Sequence, residues 1–456
     1  MNRRRSSLAL LCVANFMVIL DAQIVLLAVP SITAGLGSGP AGAQWVLSGY
    51  MLAFGGLLLL GGRTADTFGR RRVFMAGTAV FLLSSLLCGL AWSLPVLVAA
   101  RVGQGVSAAM MTPSALALLM AAFPEGRDRN RALAVWGSTG AFGATAALLI
   151  GGGLTGLFGW EAIFLLNVPV ALLMIVGAAR LLPADGPSGV RRSFDVAGAL
   201  TSTGALTALI WAVTGAPAAG WASPATLVPL TAGVVLAAAF LVVESRAADP
   251  LVPLRLFAGR AFSGGNLLTL AVGLTAFGTS FAVSEYAQRT LGYTPLIFGL
   301  ATAVLPLAAV GGSSIGQAAV TRAGSRPVGS AGMALMAAGA VWLWVAPTAG
   351  DFVTGLLPAL ALFGTGLGAT SVASASAALS GVAPADAGVA SGLNTAAFQI
   401  GGALGVAAAA SVMASDVDAP VTGFAAATAC ALFGLAVAAF ALPGTKRSLA
   451  RSGARG

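Results

Sequence analysis

Long apolar stretches recur along almost the whole chain, and they restrict its fold more than any other feature. Each is long enough to cross a hydrocarbon layer of roughly 30 Å, which a helix spans with about 20 residues. Only 8% of the 456 residues are charged, against roughly a quarter in an average soluble domain. The chain is therefore predicted to be an all-α polytopic membrane protein with the lipid bilayer as its solvent. The approximate bounds of the fourteen stretches are 8–30, 44–61, 73–92, 94–122, 131–156, 160–179, 196–216, 225–243, 262–285, 295–320, 328–346, 352–379, 388–413 and 421–443.

The distribution of basic residues predicts the orientation of these spans. If alternate loops are assigned to opposite sides, 22 of the 24 Lys and Arg residues fall on the side of the N-terminus. The opposite side has Arg289, and Arg101 lies within a span. Because Lys and Arg accumulate in short cytoplasmic loops, both termini are predicted to be cytoplasmic. The same bias accounts for the net charge of +10 without a nucleic-acid partner.

The residues available for chemistry argue against an enzyme. The sequence contains no histidine, which removes the commonest general base and most zinc sites. Its three cysteines, Cys12, Cys88 and Cys430, are far apart in apolar stretches and have no metal-ligand or disulfide spacing. No catalytic residue, cofactor or metal site is predicted. The 61 glycines instead favour close helix packing in lipid, and the run 364–368 is interpreted as a packing face.

One cytoplasmic loop carries a specific pattern of glycine, acid and base. It contains Gly62, Asp66, Gly69 and Arg70, followed by two further arginines. The pattern resembles the signature loop of the major facilitator superfamily. The resemblance implies that these four residues form a conformational latch, which holds a neighbouring helix end when the central cavity faces outward.

Other stretches resemble one branch of that superfamily, the fourteen-helix drug:proton antiporters of the methylenomycin-resistance type. They are Leu20 to Pro30, Arg101-Val102-Gly103-Gln104-Gly105, Gly159 to Pro169, Pro250 to Phe257, Leu291 to Leu296 and Ala390 to Asn394. There are two departures. In the fifth span Gly151-Gly152 is present, but Ala147-Leu148 stands where the family has a Gly-Pro pair, and the counterpart loop 321–326 lacks an acid.

The resemblance implies a major facilitator fold that acts as a monomer. Two six-helix bundles are expected at residues 1–180 and 262–443, joined by a central segment 181–261 with two extra spans. Residues 444–456 would form a basic cytoplasmic tail.

Two charges inside the spans are candidates for proton coupling. A charge at mid-bilayer costs about 2.5–3.5 kcal/mol on insertion scales and usually has a function. Asp21 lies roughly 14 Å from the outer end of the first span, and Arg101 lies roughly 10 Å from the outer end of the fourth. The two residues therefore share a depth and are predicted to act as proton carrier and partner. The alternative is a static ion pair that holds two helices together.

The predicted substrate cavity is lined by polar and aromatic residues of four spans. Gln104 shares the helix face of Arg101. Phe277, Phe281 and Glu285 follow one another at intervals of four, an arrangement that would suit a lipophilic cation. The alternative for these three is a lipid-facing stripe with an acid at the interface. The remaining candidates are Tyr50, Phe54, Asn394 and Phe398.

The family resemblance implies proton-coupled export of small lipophilic or amphipathic compounds, such as antibiotics, by alternating access. The Ala, Gly and Arg-rich composition suggests a high-GC bacterium, and the cytoplasmic membrane is the expected location. Two other functions stay open. An importer or facilitator of a small polar solute would need a cavity richer in hydrogen-bonding groups. A membrane sensor or assembly protein would show no substrate flux.

Overall fold

The fold is known from a computed structural model, which describes residues 3–37, 40–123, 127–185, 195–247, 250–345, 352–383, 386–414 and 419–443. Within these ranges the chain is helical and has no β-strand. The predicted all-α class is therefore confirmed.

Sixteen α-helices are found in the described residues. In the first half they are α1 (Arg3–Gly35), α2 (Pro40–Phe68), α3 (Arg70–Gly89), α4 (Leu94–Ala122), α5 (Arg127–Phe158), α6 (Glu161–Leu165), α7 (Asn167–Leu181), α8 (Val196–Ala219) and α9 (Pro224–Arg246). In the second half they are α10 (Arg260–Glu285), α11 (Pro295–Thr302), α12 (Val304–Ala323), α13 (Ser325–Val345), α14 (Leu357–Leu379), α15 (Ala387–Ala414) and α16 (Ala419–Phe440). A 3₁₀ turn (Leu254–Ala258) precedes α10, and π turns (Tyr286–Thr290 and Phe352–Leu356) follow α10 and precede α14.

These helices provide fourteen spans that are long and apolar enough to cross a membrane. The number of spans is lower than the number of helices because α6 and α7 form one span, as do α11 and α12. The predicted count of fourteen is confirmed.

The chain divides into two compact units. The first comprises Met1–Ala212, Ala222–Leu251 and Ala287–Leu300, and the second comprises Val213–Trp221, Val252–Tyr286 and Ala301–Gly456. In the first unit α4 lies against α2 and α3, and α1 lies against α4, α5 and α7. The domain boundaries expected from the family resemblance stay predictions.

Glycines determine how closely the helices of the second unit approach one another. α10 packs along α15, where a Cβ at Gly401 or Gly405 would overlap a backbone oxygen of α10. In the run 364–368, Gly364 and Gly368 face α12, whereas Gly366 faces α13. The run is thus a packing face, as predicted. The apolar core of this unit includes Leu268, Val272, Met333, Met336 and Phe363.

Candidate functional site

Asp21 and Arg101 form a fully buried ion pair in the first unit. The Nη1 atom of Arg101 lies 2.7 Å from the Oδ2 atom of Asp21, and both side chains are 0% exposed. The contact joins the middle of α1 to α4, in agreement with the common depth predicted for the two residues.

Two amide side chains complete the surroundings of the Asp21 carboxylate. Its Oδ1 atom accepts hydrogen bonds from Gln104 Nε2 at 3.0 Å and from Asn167 Nδ2 at 2.7 Å. The hydroxyl oxygen of Ser85 accepts from the same two nitrogens, at 2.8 and 3.4 Å. Residues of α3, α4 and α7 therefore form one hydrogen-bond network with the acid of α1.

Arg101 is held by polar and aromatic groups besides Asp21. Its Nε atom donates to the backbone oxygen of Val46 at 2.9 Å, and Nη1 also donates to Gln104 Oε1 at 2.7 Å. The guanidinium carbon lies 4.3 Å from the centre of the Tyr50 ring and 5.9 Å from that of Phe164. Aromatic faces attract cations in this range, so the two rings add to the stabilisation of the arginine charge.

The local sequence explains why α2 and α4 bring these groups together. Residues three apart on a helix share a face, so Arg101 and Gln104 point to the same acid. A Cβ at Gly105 would overlap the backbone oxygen of Tyr50, and this glycine therefore permits the close contact of α2 with α4. Tyr50 donates its hydroxyl to the Val18 oxygen of α1 at 3.1 Å, and the Phe54 ring lies 5.9 Å from the Tyr50 ring.

Three members of this network were missed by the sequence reasoning. Asn167 and Ser85 contact the acid network directly, and the Cys88 thiol donates to Gln104 Oε1 at 3.5 Å. Asn167 did carry a signal, because it is an isolated amide within the apolar run that follows Glu161. Ser85 and Cys88 carried none, since small polar residues are common in membrane helices.

The candidates on α10 and α15 lie in the second unit, where those of α10 are buried and those of α15 are partly buried. Phe277 packs edge-on against Phe398, with ring centroids 5.7 Å apart. Phe281 and Glu285 are 0% and 2% exposed, so these side chains pack inside the protein and do not form a lipid-facing stripe. Asn394 donates to Thr269 Oγ1 at 2.7 Å, which links α15 to α10.

The signature-loop residues lie at the end of α2 and the start of α3. Asp66 contacts Arg70 at 3.4 Å, with both side chains about half exposed, and Gly62 faces Pro113 of α4. Gly69 has a φ of 102°, a conformation that strongly favours glycine, and a Cβ there would overlap the side chain of Asp185. The latch role of these residues stays a prediction.

Asp185 provides a contact that the sequence did not predict. Its carboxylate accepts hydrogen bonds from the backbone N–H groups of Arg71 and Arg72, at 2.9 and 3.0 Å. These groups lie in the first turn of α3, where the helix dipole favours an anion. Asp185 thus joins the segment after α7 to the start of α3.

A groove of about 630 Å³ lies between α8 and α9. It is lined mainly by apolar residues, and none of the predicted cavity residues contributes to it. Its lining residues are Leu200, Thr203, Gly204, Thr207, Ala208, Trp211, Pro224, Ala225, Val228 and Pro229.

Comparison with known proteins gives matches over nearly the whole chain. Residues 11–405 match the family model described as Major Facilitator Superfamily. The cephamycin export protein of Amycolatopsis lactamdurans is 39% identical over 414 residues, which cover 90% of this chain and 85% of that protein. The puromycin resistance protein of Streptomyces alboniger is 40% identical over 408 residues, which cover 89% of this chain and 81% of that protein.

A solved structure extends the comparison to the fold. The crystal structure of PepTSo, a transporter of the POT family, matches with a TM-score of 0.70 and covers 98% of both chains. The sequence identity of 15% restricts this likeness to the fold.

Proposed function

This chain belongs to the major facilitator superfamily, and on that premise we propose that it exports small lipophilic or amphipathic compounds, antibiotics among them, in exchange for protons. Export is supported by two relatives, a cephamycin export protein and a puromycin resistance protein. Proton exchange is supported by one observation of the structure, the buried carboxylate of Asp21 with its guanidinium and amide partners.

The Asp21 network has the properties that a proton-coupling site needs. Burial disfavours the ionised carboxyl group, whereas an adjacent guanidinium and donated hydrogen bonds favour it. These opposing effects depend on distance, so a small separation of α1 from α4 changes the proton affinity. Protonation in turn cancels the charge that holds Arg101. Each event promotes the other, which is the requirement for coupling a proton to rocking about a central site.

A flux assay in sealed inverted vesicles tests the proposed function. The panel consists of puromycin, a cephamycin and ethidium, with the vesicle interior made acidic. Because the cytoplasmic side faces outward, an exporter driven by protons takes compounds up, and dissipation of the gradient stops uptake. If the uptake of every transported compound were independent of the pH gradient, the protein would be a facilitator. Release of preloaded compound would indicate an importer, and no flux would favour a sensor or assembly protein.

For this function we propose a location in the bacterial cytoplasmic membrane, with both termini on the cytoplasmic side. The working unit is proposed to be a monomer. The cytoplasmic position of both ends is supported by the 22 basic residues on one side. Reporters fused after Ser38 and after Arg192, both outside the described residues, should give opposite signals in an alkaline phosphatase and fluorescent protein assay. Equal signals at the two positions would contradict the helix count of the first half.

Glu285 is proposed to favour cationic substrates. It is buried at the end of α10, one turn after Phe281, and a buried carboxylate attracts a desolvated cation more strongly than an exposed one. Glu285→Gln should therefore lower the flux of ethidium by about tenfold, because one contact between opposite charges is lost. The flux of neutral compounds should not change.

Glu161 is the matched control for this substitution, because it is an acid at the start of α6 that is partly exposed. Glu161→Gln should change neither the flux of ethidium nor the flux of neutral compounds. If Glu285→Gln reduced cationic and neutral compounds equally, Glu285 would have no role in selectivity.

A further inference from the structure

Asn167 lies where the hydrogen-bond pattern of the sixth span is interrupted, between α6 and α7. Pro169 has no N–H group, so the backbone oxygen of Leu165 loses its helical partner, and α6 ends there. Asn167 is the first residue of α7 and is 0% exposed. The backbone between the two helices stays helical at Leu166, with φ −55° and ψ −35°, and it holds the Asn167 side chain against the acid.

The hydrogen bonds of Asn167 depend on the charge of Asp21. An ionised carboxylate only accepts hydrogen bonds, so the amide must present its Nδ2 atom, which lies 2.7 Å from Asp21 Oδ1. The carbonyl oxygen of Asn167 has no hydrogen-bond partner among the described residues, although it is buried. The amide therefore carries an unused acceptor next to the acid.

We propose that Asn167 is a positioning residue that stabilises the ionised form of Asp21 and changes its hydrogen bond when Asp21 takes up a proton. A protonated carboxyl group must donate its O–H. Rotation of the Asn167 amide by half a turn would present the unused carbonyl oxygen as the acceptor, in nearly the same volume. The bond between α1 and α7 then persists with its direction reversed. This inference rests on the proposed role of Asp21 as the proton carrier.

Other charged or titratable groups around Asp21 come from three helices. They are Arg101 on α4, Tyr50 on α2 and Cys88 on α3. From α7 the facing group is the uncharged Asn167, and no contact of Asp21 with a titratable group of α5 is found in the described residues. A substitution of Asn167 therefore removes a hydrogen bond without altering the charges around the acid.

Infrared titration of the full-length protein in nanodiscs measures this effect without a transported compound. The carboxyl absorption of Asp21 is isolated as the difference between wild type and Asp21→Asn at each pH. Asn167→Leu removes the donor from the ionised form. We expect it to move the titration midpoint up by about one pH unit, which is tenfold in proton affinity. Asn167→Ala is the second donor-free variant if leucine is not tolerated, and Asn167→Thr, which keeps a hydroxyl donor, should give an intermediate midpoint.

Asn15 provides the matched control. It is also a buried amide on a span, but it donates to Thr139 Oγ1 at 2.9 Å and to the Trp136 oxygen at 3.3 Å. Asn15→Leu should leave the midpoint unchanged. A wild-type midpoint in Asn167→Leu or Asn167→Ala would overturn the inference and leave the proposed function standing. Failure of Asp21 to titrate in wild-type protein, across the pH range of transport, would overturn both.

Discussion

Asp21→Asn is expected to abolish efflux driven by a pH gradient while leaving substrate binding measurable. The amide has nearly the size of the protonated acid, but it can neither release nor bind a proton in the working pH range. The vesicle assay, with the compound that the wild type transports best, measures the loss of flux. Equilibrium binding of the same compound to the purified protein measures the substrate binding that is retained. Normal gradient-driven efflux by this variant would assign the proton to another group, with Glu285 as the next candidate.

A second substitution separates proton coupling from a structural ion pair. Removal of one partner of a buried pair leaves the other charge uncompensated and costs about 3–5 kcal/mol, whereas removal of both is often neutral. Asp21→Asn should therefore lower thermal stability, and Asp21→Asn combined with Arg101→Gln should recover most of it. All flux values are compared per amount of folded protein.

The double variant is expected to fold and still show no gradient-driven efflux. If the pair served only to hold α1 against α4, neutral residues at both positions would restore transport together with stability. Recovery of both properties would support the static ion pair that the sequence left open.

Gly152→Val is expected to reduce transport by about tenfold or more, because overpacking of a close contact costs about 1–3 kcal/mol. A Cβ at Gly152 of α5 would overlap the backbone oxygen of Pro295 at the start of α11. Nearby, a Cβ at Gly299 would overlap the backbone oxygen of Leu148. Valine at position 152 would force these backbones apart. Flux and the midpoint of thermal unfolding are the measurements.

Gly153→Val is the matched control for this prediction. Gly153 is the next residue of α5, and a Cβ there would meet no atom within 4 Å. It tests whether valine at this level of α5 is harmful for reasons other than the contact. Equal losses in the two variants would show that the approach of α5 to α11 has no special importance.

The tenfold estimate for Gly152→Val depends on a contact that the sequence motif does not describe. Sequence comparison identified Gly151-Gly152 as part of a fifth-helix motif and Ala147-Leu148 as a departure from it. The structure shows that both parts of this stretch meet the same short segment, through Gly152 and through the Leu148 oxygen. That segment, Ala287–Leu300, belongs to the first unit although it directly follows α10, which belongs to the second. The side chain of Gln288, in this segment, also donates a hydrogen bond to the backbone oxygen of Leu27 at 3.1 Å.

The sequence by itself determined the number and nature of the spans. Hydropathy over about 20 residues is a local property, and the need to satisfy every backbone group in lipid leaves the helix as the structure of such segments. The depth of Asp21 and Arg101 also follows from the sequence, because helix rise is constant. Their contact at 2.7 Å agrees with that depth.

Only the tertiary structure decided which helix faces meet. These helices are apolar on all sides, so their sequence pattern does not indicate which face is turned inward. For that reason Asn167 was not predicted as a partner of Asp21, nor Ser85 as a partner of Asn167 and Gln104, and a buried Glu285 could not be distinguished from a lipid-facing one. In lipid the facing direction is set by close packing of small residues such as Gly105 against a neighbouring backbone. That packing depends on the shapes of both helices together.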